Sequence, residues 1–158
     1  MLFYLSFIMS SSESQTRSFS SWVKINKIPH NIIIGMHENH VRISMENNFT
    51  KHKYDSTYNP EAIQIITKAA EFELTPIQFY NLFDSFFRTP NGVIKLGFTV
   101  ESHHNFDGIY IDIEWTFAEF GINKKFRISV QKSHQEMEKR IDDALVALCK
   151  RINKISKQ

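Results

Sequence analysis

Cysteine is nearly absent. Cys149 is the single one, so no disulfide can form within the chain, which fits a reducing compartment. Glycine and proline are scarce as well. Five Gly and four Pro against fourteen Phe argue against a linker-rich or disordered chain and for a packed core. Charge of one sign is missing too: 19 basic and 17 acidic residues leave a formal +2, so any nucleic-acid contact must come from a local patch. Long apolar runs are lacking. Met1–Met9 (MLFYLSFIM) is apolar but short, without a basic flank, and Ser-rich sequence follows; a membrane-spanning helix needs about 20 apolar residues. A flexible leader is a plainer reading of it than a signal peptide. No membrane partner is expected. Finally, there is no Gly-rich phosphate loop, Ser elbow or His-Glu-x-x-His, so no catalytic residue and no cofactor is assigned.

What is present suffices for one domain: 158 residues, 42% of them hydrophobic. Residues 1–20 read as the leader. Short strand-like runs follow at Trp22–Ile28, Ile32–Met36 and Val41–Met45, the last two as a hairpin around Glu38-Asn39. Asn59-Pro60 opens a helix, with Asn as cap and Pro in the first turn. Thr75-Pro76-Ile77-Gln78 is a capping box that opens a second one, so a helix pair spans 60–88. Three alternating runs come next, at Ile94–Val100, Ile109–Phe117 and Phe126–Val130, with Asp107-Gly108 as a turn signal between the first two. The pattern predicts an α+β fold. Its head, residues 21–132, is an antiparallel β-sandwich with the helix pair inserted.

Ser133-His134-Gln135-Glu136 is a further capping box, and residues 133–158 read as a C-terminal coiled-coil helix. Ile141, Leu145, Leu148, Ile152 and Ile155 are spaced four, three, four, three, the spacing of a seam between paired helices. The expectation is a homodimer through these five residues; the other reading is a helix docked on its own head. Two basic groups could touch phosphates of double-stranded DNA: Lys124, Lys125 and Arg127 after the Gly121 turn, and Lys150, Arg151, Lys154 and Lys157 on the last helix. Cations near a helix C-terminus also suit the macrodipole. Phe120 and Ile122 are large apolar residues in an expected turn, where Gly121 and Asn123 supply the turn chemistry. They are candidates for a protein-binding anchor with Glu119, Lys124 and Lys125 as a polar rim, or for a cap on the end of the core.

Other constellations have plainer readings. His37/His40 and His103-His104 lack the further ligands a zinc site needs, so no metal is assigned. Asp112 and Glu114 share one strand face, the solvated one, without the Lys motif of a nuclease. Cys149 has no activating base nearby in sequence and reads as a packing residue beside the seam. The helix pair followed by a hairpin mimics a winged helix, although Phe-rich 77–88 looks too apolar for a recognition helix.

The order strands, two short helices, three strands, long helix resembles the head-plus-stalk layout of the XLF/Cernunnos proteins of non-homologous end joining and their relatives. The resemblance spans roughly residues 22–155. It rests on the Trp22-Val23-Lys24-Ile25 strand, the Leu74-Thr75-Pro76 break, the Trp115 strand and the Phe126–Val130 strand running into the helix. It implies a seven-stranded sandwich head, a parallel homodimer, and a nuclear DNA-repair scaffold bridging DNA ends, with the ligase IV scaffold protein and Ku as partners. It also implies that a residue in Glu119-Phe120-Gly121-Ile122 docks into the scaffold protein. The sequence departs from the family in its short helix, without the long stalk and basic Ku-binding tail, so tail-dependent binding is not implied. The same head also occurs in self-assembling centriolar proteins, the alternative branch.

Overall fold

The computed structural model describes residues 16–156 except 72, 90 and 91, and omits the side chains of 134–140 and 156. The apolar Met1–Met9 and Lys157 therefore lie outside the described residues.

Four strands form the first sheet in sequence order: β1 (Arg17–Ile25), β2 (Ile28–His37), β3 (His40–Asn47) and β4 (Lys53–Tyr58). All neighbours are antiparallel. Two-residue turns at Asn26-Lys27 and Glu38-Asn39 join the first three. Both residues of each turn have positive φ (52° and 68°; 49° and 67°), the twist that matches flanking strands in a tight hairpin. The wider β3–β4 turn is held by Asn47, whose Oδ1 accepts from the Phe49 and Thr50 amides at 2.8 and 3.0 Å. The inward register carries Ile32, Ile34, Val41, Ile43 and Met45, all buried.

Helices α1 (Pro60–Lys68) and α2 (Pro76–Arg88) follow. Asn59 Oδ1 accepts from the Ala62 amide at 2.8 Å, and Thr75 and Gln78 make the reciprocal capping box at 3.3 and 2.9 Å. Between the helices, Thr67 Oγ1 donates to Ile63 O at 2.7 Å and accepts from the Leu74 amide at 3.2 Å, fixing the connection from within. The second sheet is the meander β5 (Ile94–His103), β6 (Phe106–Phe117) and β7 (Ile122–Gln131). The last helix, α3 (His134–Ser156), follows directly.

The sheets meet along β4 and β7. Tyr54 bridges to Lys132, the Gln131 amide donates to Ser56 Oγ at 3.0 Å, and the Ser133 amide donates to Lys53 O at 2.9 Å. The buried Tyr58 hydroxyl donates across to Ser129 O. Helix α2 touches β2 and β3 of one sheet and β5 of the other. Its fully buried Phe79 and Phe83 pack edge to face, with ring centres 5.2 Å apart, and Phe79 also meets Tyr58 and Phe126. Each such burial stabilises the fold by about 1.5–3 kcal/mol. Among the described residues the result is a mixed fold of two antiparallel sheets and three helices, with α2 set between strands of both sheets.

Several boundaries differ from the sequence expectation. β1 starts at Arg17, inside the stretch read as leader, because Phe19 packs on Tyr80 and Phe87 with ring centres 5.7 Å away in each case. The expected strand Trp22–Ile28 is two strands with the Asn26-Lys27 turn between them. The β5–β6 turn is His104-Asn105, not Asp107-Gly108, since His103 pairs with Phe106 and Gly108 lies within β6. Gly108 is there for space: a Cβ would stand 2.3 Å from Val130 O and 2.7 Å from the Phe106 ring. The winged-helix reading does not describe this architecture: α2 is packed into a head of two antiparallel sheets through Phe79, Tyr80, Leu82 and Phe83, and its exposed side carries Gln78, Asn81, Ser85 and Arg88.

Candidate assembly surfaces

Among the described residues, nothing in the head covers α3 between Ile141 and Ile155. From Ile141 to Ile155 every position is exposed. Ile141, Leu145, Leu148, Ile152 and Ile155 are 52–72% exposed, so docking on its own head, the other reading of this helix, is overturned. At the helical repeat the five residues form one stripe about 80° wide. Lys150 and Lys154 fall on the opposite side, Arg151 to one flank and the exposed Cys149 to the other. Among the described residues, no helix is long and apolar enough to cross a membrane.

The second surface is the β6–β7 tip. A 3-10 turn at Ala118–Phe120 ends on Gly121 in the left-handed region (φ 62°), and β7 starts at once. Ile122 is thus the first residue of a strand opposite Phe117, not part of an open loop. Phe120 is 74% exposed and Ile122 41%, so neither caps the core. Phe117, opposite Ile122 in register, has its ring 4.9 Å from that of Trp115. Glu119 and Lys125 are exposed at this end.

The expected basic group on β7 does not hold together as a patch. Alternation puts Lys124 on the face of Phe126 and Ile128, where its Nζ meets Glu71 Oε2 at 2.7 Å. The Lys124 ammonium holds the Glu71 carboxyl below its usual range. Lys125 and Arg127 lie on the other face. There Arg127 Nε meets Asp112 Oδ1 at 2.6 Å and its guanidinium sits 4.7 Å over the Tyr110 ring. The Asp112 contact raises the Arg127 pKa. Glu114, opposite Lys125 in register, accepts from Asn123 Nδ2 at 2.9 Å. Asp112 and Glu114 thus serve cross-strand pairing. On α3, Lys150, Arg151 and Lys154 are exposed. Among the described residues, no three His, Cys, Asp or Glu side chains gather as metal ligands.

Sequence reasoning missed a third surface, on the outer face of the first sheet. Trp22 is 60% exposed and Ile33 50%, although they sit in the outward register with Ser20, Lys24 and Asn31. The signal was legible: Trp22 shares its parity with Ser18, Ser20 and Lys24, which makes it the outward residue of an alternating strand.

No family model matches the chain, and no curated protein matches it. Among solved structures, the crystal structure of the head domain of human CCDC61 matches with a TM-score of 0.64 at 10% identity, over 74% of this chain and 99% of that one. The two share a fold. At that identity the likeness speaks for architecture alone, and it fits a β-rich head that leaves part of this chain over.

Proposed function

We propose that this chain is a non-catalytic, self-assembling protein of the centriole type, a head carried on a helix through which copies pair. The observation that carries it is the α3 stripe: five large apolar side chains at seam spacing, each more than half exposed, on a helix the head leaves bare. Side chains so arranged are covered by a matching helix in paired coils, and the simplest matching helix is a second copy. The likeness to the CCDC61 head supports this branch over the end-joining one. The end-joining reading, with its nuclear DNA-bridging role and its ligase IV scaffold and Ku partners, draws on a basic β7 group that is divided between two strand faces and largely ion-paired. Phe120 and Ile122 are the proposed contact of the head.

Light scattering on the full chain tests the proposal. At about 10 μM, where a micromolar complex is populated, the native chain is expected at twice its own mass or more. Leu145→Asp with Leu148→Asp should return it to monomer with the head's melting unchanged. A native chain that is monomeric even at high micromolar concentration would sink the seam.

A further inference from the structure

At the edge of the first sheet opposite the β4–β7 junction, β1 has β2 on one side only among the described residues; β5 comes near without pairing to it. Natural edge strands are usually guarded by Lys, Pro, a bulge or a cover. Between Ser18 and Val23, β1 has no charge and no proline (Ser-Phe-Ser-Ser-Trp-Val). The other outlying strand, β5, does carry charge on its solvent face, at Lys95 and Glu101. The core is also thin at the β1 edge. Phe19 and Val23 point inward yet are only half-buried, whereas their cross-strand neighbours Ile34 and His30 are buried. On the outer face, Ile33 lines a hollow of about 680 Å³ together with Ser18, Gly35 and Ser44.

We propose that β1 pairs antiparallel with β1 of a second copy, with Ser21 opposite Ser21. The strand complements itself in this register. On the inner face Phe19 stands opposite Val23 of the second copy, and Val23 opposite its Phe19, closing both thin edges of core. On the outer face Trp22 stands opposite Ser20, whose neighbour across the sheet is Ile33, so each exposed indole comes beside the other copy's exposed Ile33. Like charges stay apart: Arg17 faces Ile25 and Lys24 faces Ser18. Backbone hydrogen bonds supply the attraction and the side-chain pairs set the register. The contact is two-fold and does not depend on the α3 seam or on Phe120. A chain with two separate two-fold contacts extends into a higher assembly instead of stopping at a dimer.

The test uses the full chain carrying Leu145→Asp, Leu148→Asp and Phe120→Asp, so that only β1 pairing remains. Sedimentation is expected to show monomer at about 10 μM and a growing dimer fraction toward about 500 μM, as for a Kd on the order of 10⁻⁴ M. Amides in 18–24 should gain hydrogen-exchange protection with concentration, and those of β5 should not. Trp22→Ser on this background should weaken the dimer about tenfold without changing the melting temperature. With Cys149→Ser added, Ser21→Cys should form a disulfide between copies, while Lys24→Cys should not. No dimer at about 500 μM overturns the proposal, as does indifference to Trp22→Ser or protection moving to β5. Protection of β1 that is complete at low concentration also overturns it, since the edge would then be covered within one chain. A native chain that is monomeric at about 10 μM while the variant still dimerises toward about 500 μM refutes the seam alone; a native dimer at about 10 μM with no dimer of the variant at about 500 μM refutes β1 alone.

Discussion

The head and α3 both alternate apolar with polar residues, yet only the head closes over its own apolar side. In the strands the period is two, and the inward register of each sheet meets a packed neighbour: Ile32, Ile34 and Ile43 in one, Ile109, Ile111 and Ile113 in the other, with Phe79 and Phe83 in the core they share. In α3 the period averages 3.5, and among the described residues nothing covers its stripe from Ile141 to Ile155. The head's pattern is answered by other parts of the same chain; the helix's pattern is answered only from outside. Thermodynamically, the head carries its own stability. A bare amphipathic helix draws most of its stability from whatever packs on its apolar stripe.

The sharpest way to break that contrast is to damage each region separately. Phe79→Ala should cost about 3–5 kcal/mol, because a fully buried ring leaves a cavity bounded by Phe83, Tyr58 and Phe126. In a domain of this size that is a large share of the whole stability, read as a steep fall in melting temperature. Leu145→Asp with Leu148→Asp should leave the head's melting where it was, while far-ultraviolet dichroism at low concentration loses part of its helical signal. If the seam variant melts the head, α3 belongs to the core after all.

The β4–β7 junction offers a smaller effect. Burial pushes the Tyr58 phenol up to about 12, opposed by its hydrogen bond with Ser56. The folded value lies above the unfolded one, near 10. The stability tied to keeping this group protonated is therefore complete below pH 10 and is lost as pH rises from 10 toward 12, by up to about 3 kcal/mol. Tyr58→Phe should lack this alkaline loss but forfeit the hydrogen bond to Ser129 O, about 1 kcal/mol at neutral pH. Denaturant midpoints of the two proteins should approach each other above about pH 9.5 and cross between about pH 10 and 11, with Tyr58→Phe the more stable beyond. Parallel curves would show that the phenol titrates freely.

Much of this architecture was written plainly in the sequence, and the failures are instructive. The capped helix starts at Asn59 and Thr75 and the alternation of β6 are strong local signals, and they formed where expected. β4 was missed because Lys-Tyr-Asp-Ser-Thr-Tyr carries only two apolar residues, Tyr54 and Tyr58, four apart, with Ser56 between them on the inward register. Its strand state comes from β3 and the β7 edge, not from itself. Gly108 was misread as a turn because close backbone approach and turn formation both call for glycine, and only the β7 register tells them apart. Lys124, Lys125 and Arg127 were grouped by proximity in sequence, although strand parity alone separates Lys124 from the other two. Phe120 and Ile122 stand out in the sequence as large apolar residues in an expected turn; their exposure depends on the short 3-10 turn, which no residue signals strongly.

The β6–β7 tip refines the contrast, since it is head sequence that behaves like α3. Phe120→Asp and Ile122→Asp should each leave the melting temperature within about a degree, as exposed positions do. Each should weaken association of the full chain by roughly tenfold, the loss typical of an anchor residue. Ile122, half-sheltered in β7, should show the smaller binding effect of the two. A large fall in melting temperature for either would place the tip in the core.

DNA affinity should respond least of all. With net charge near neutrality and the β7 cations engaged with Glu71 and Asp112, any binding is expected to be weak, independent of sequence and steeply salt-dependent. Lys124→Ala and Arg127→Ala should then alter the salt slope little, because each cation already has a carboxylate partner in the head. Replacing Lys150, Arg151, Lys154 and Lys157 together should reduce the slope by about 0.9 for each phosphate that is no longer neutralised. Lys150 and Lys154 stand opposite the seam, so pairing of α3 leaves them open and doubles their number in the assembly. The slope should therefore fall when Leu145→Asp and Leu148→Asp separate the helices, even though neither change touches a cation. Tight binding to one sequence at physiological salt, unaffected by either set of changes, would mean that the head reads bases directly, and the contrast between a self-contained head and an outward-facing helix would fail at the place where it was expected to be strongest.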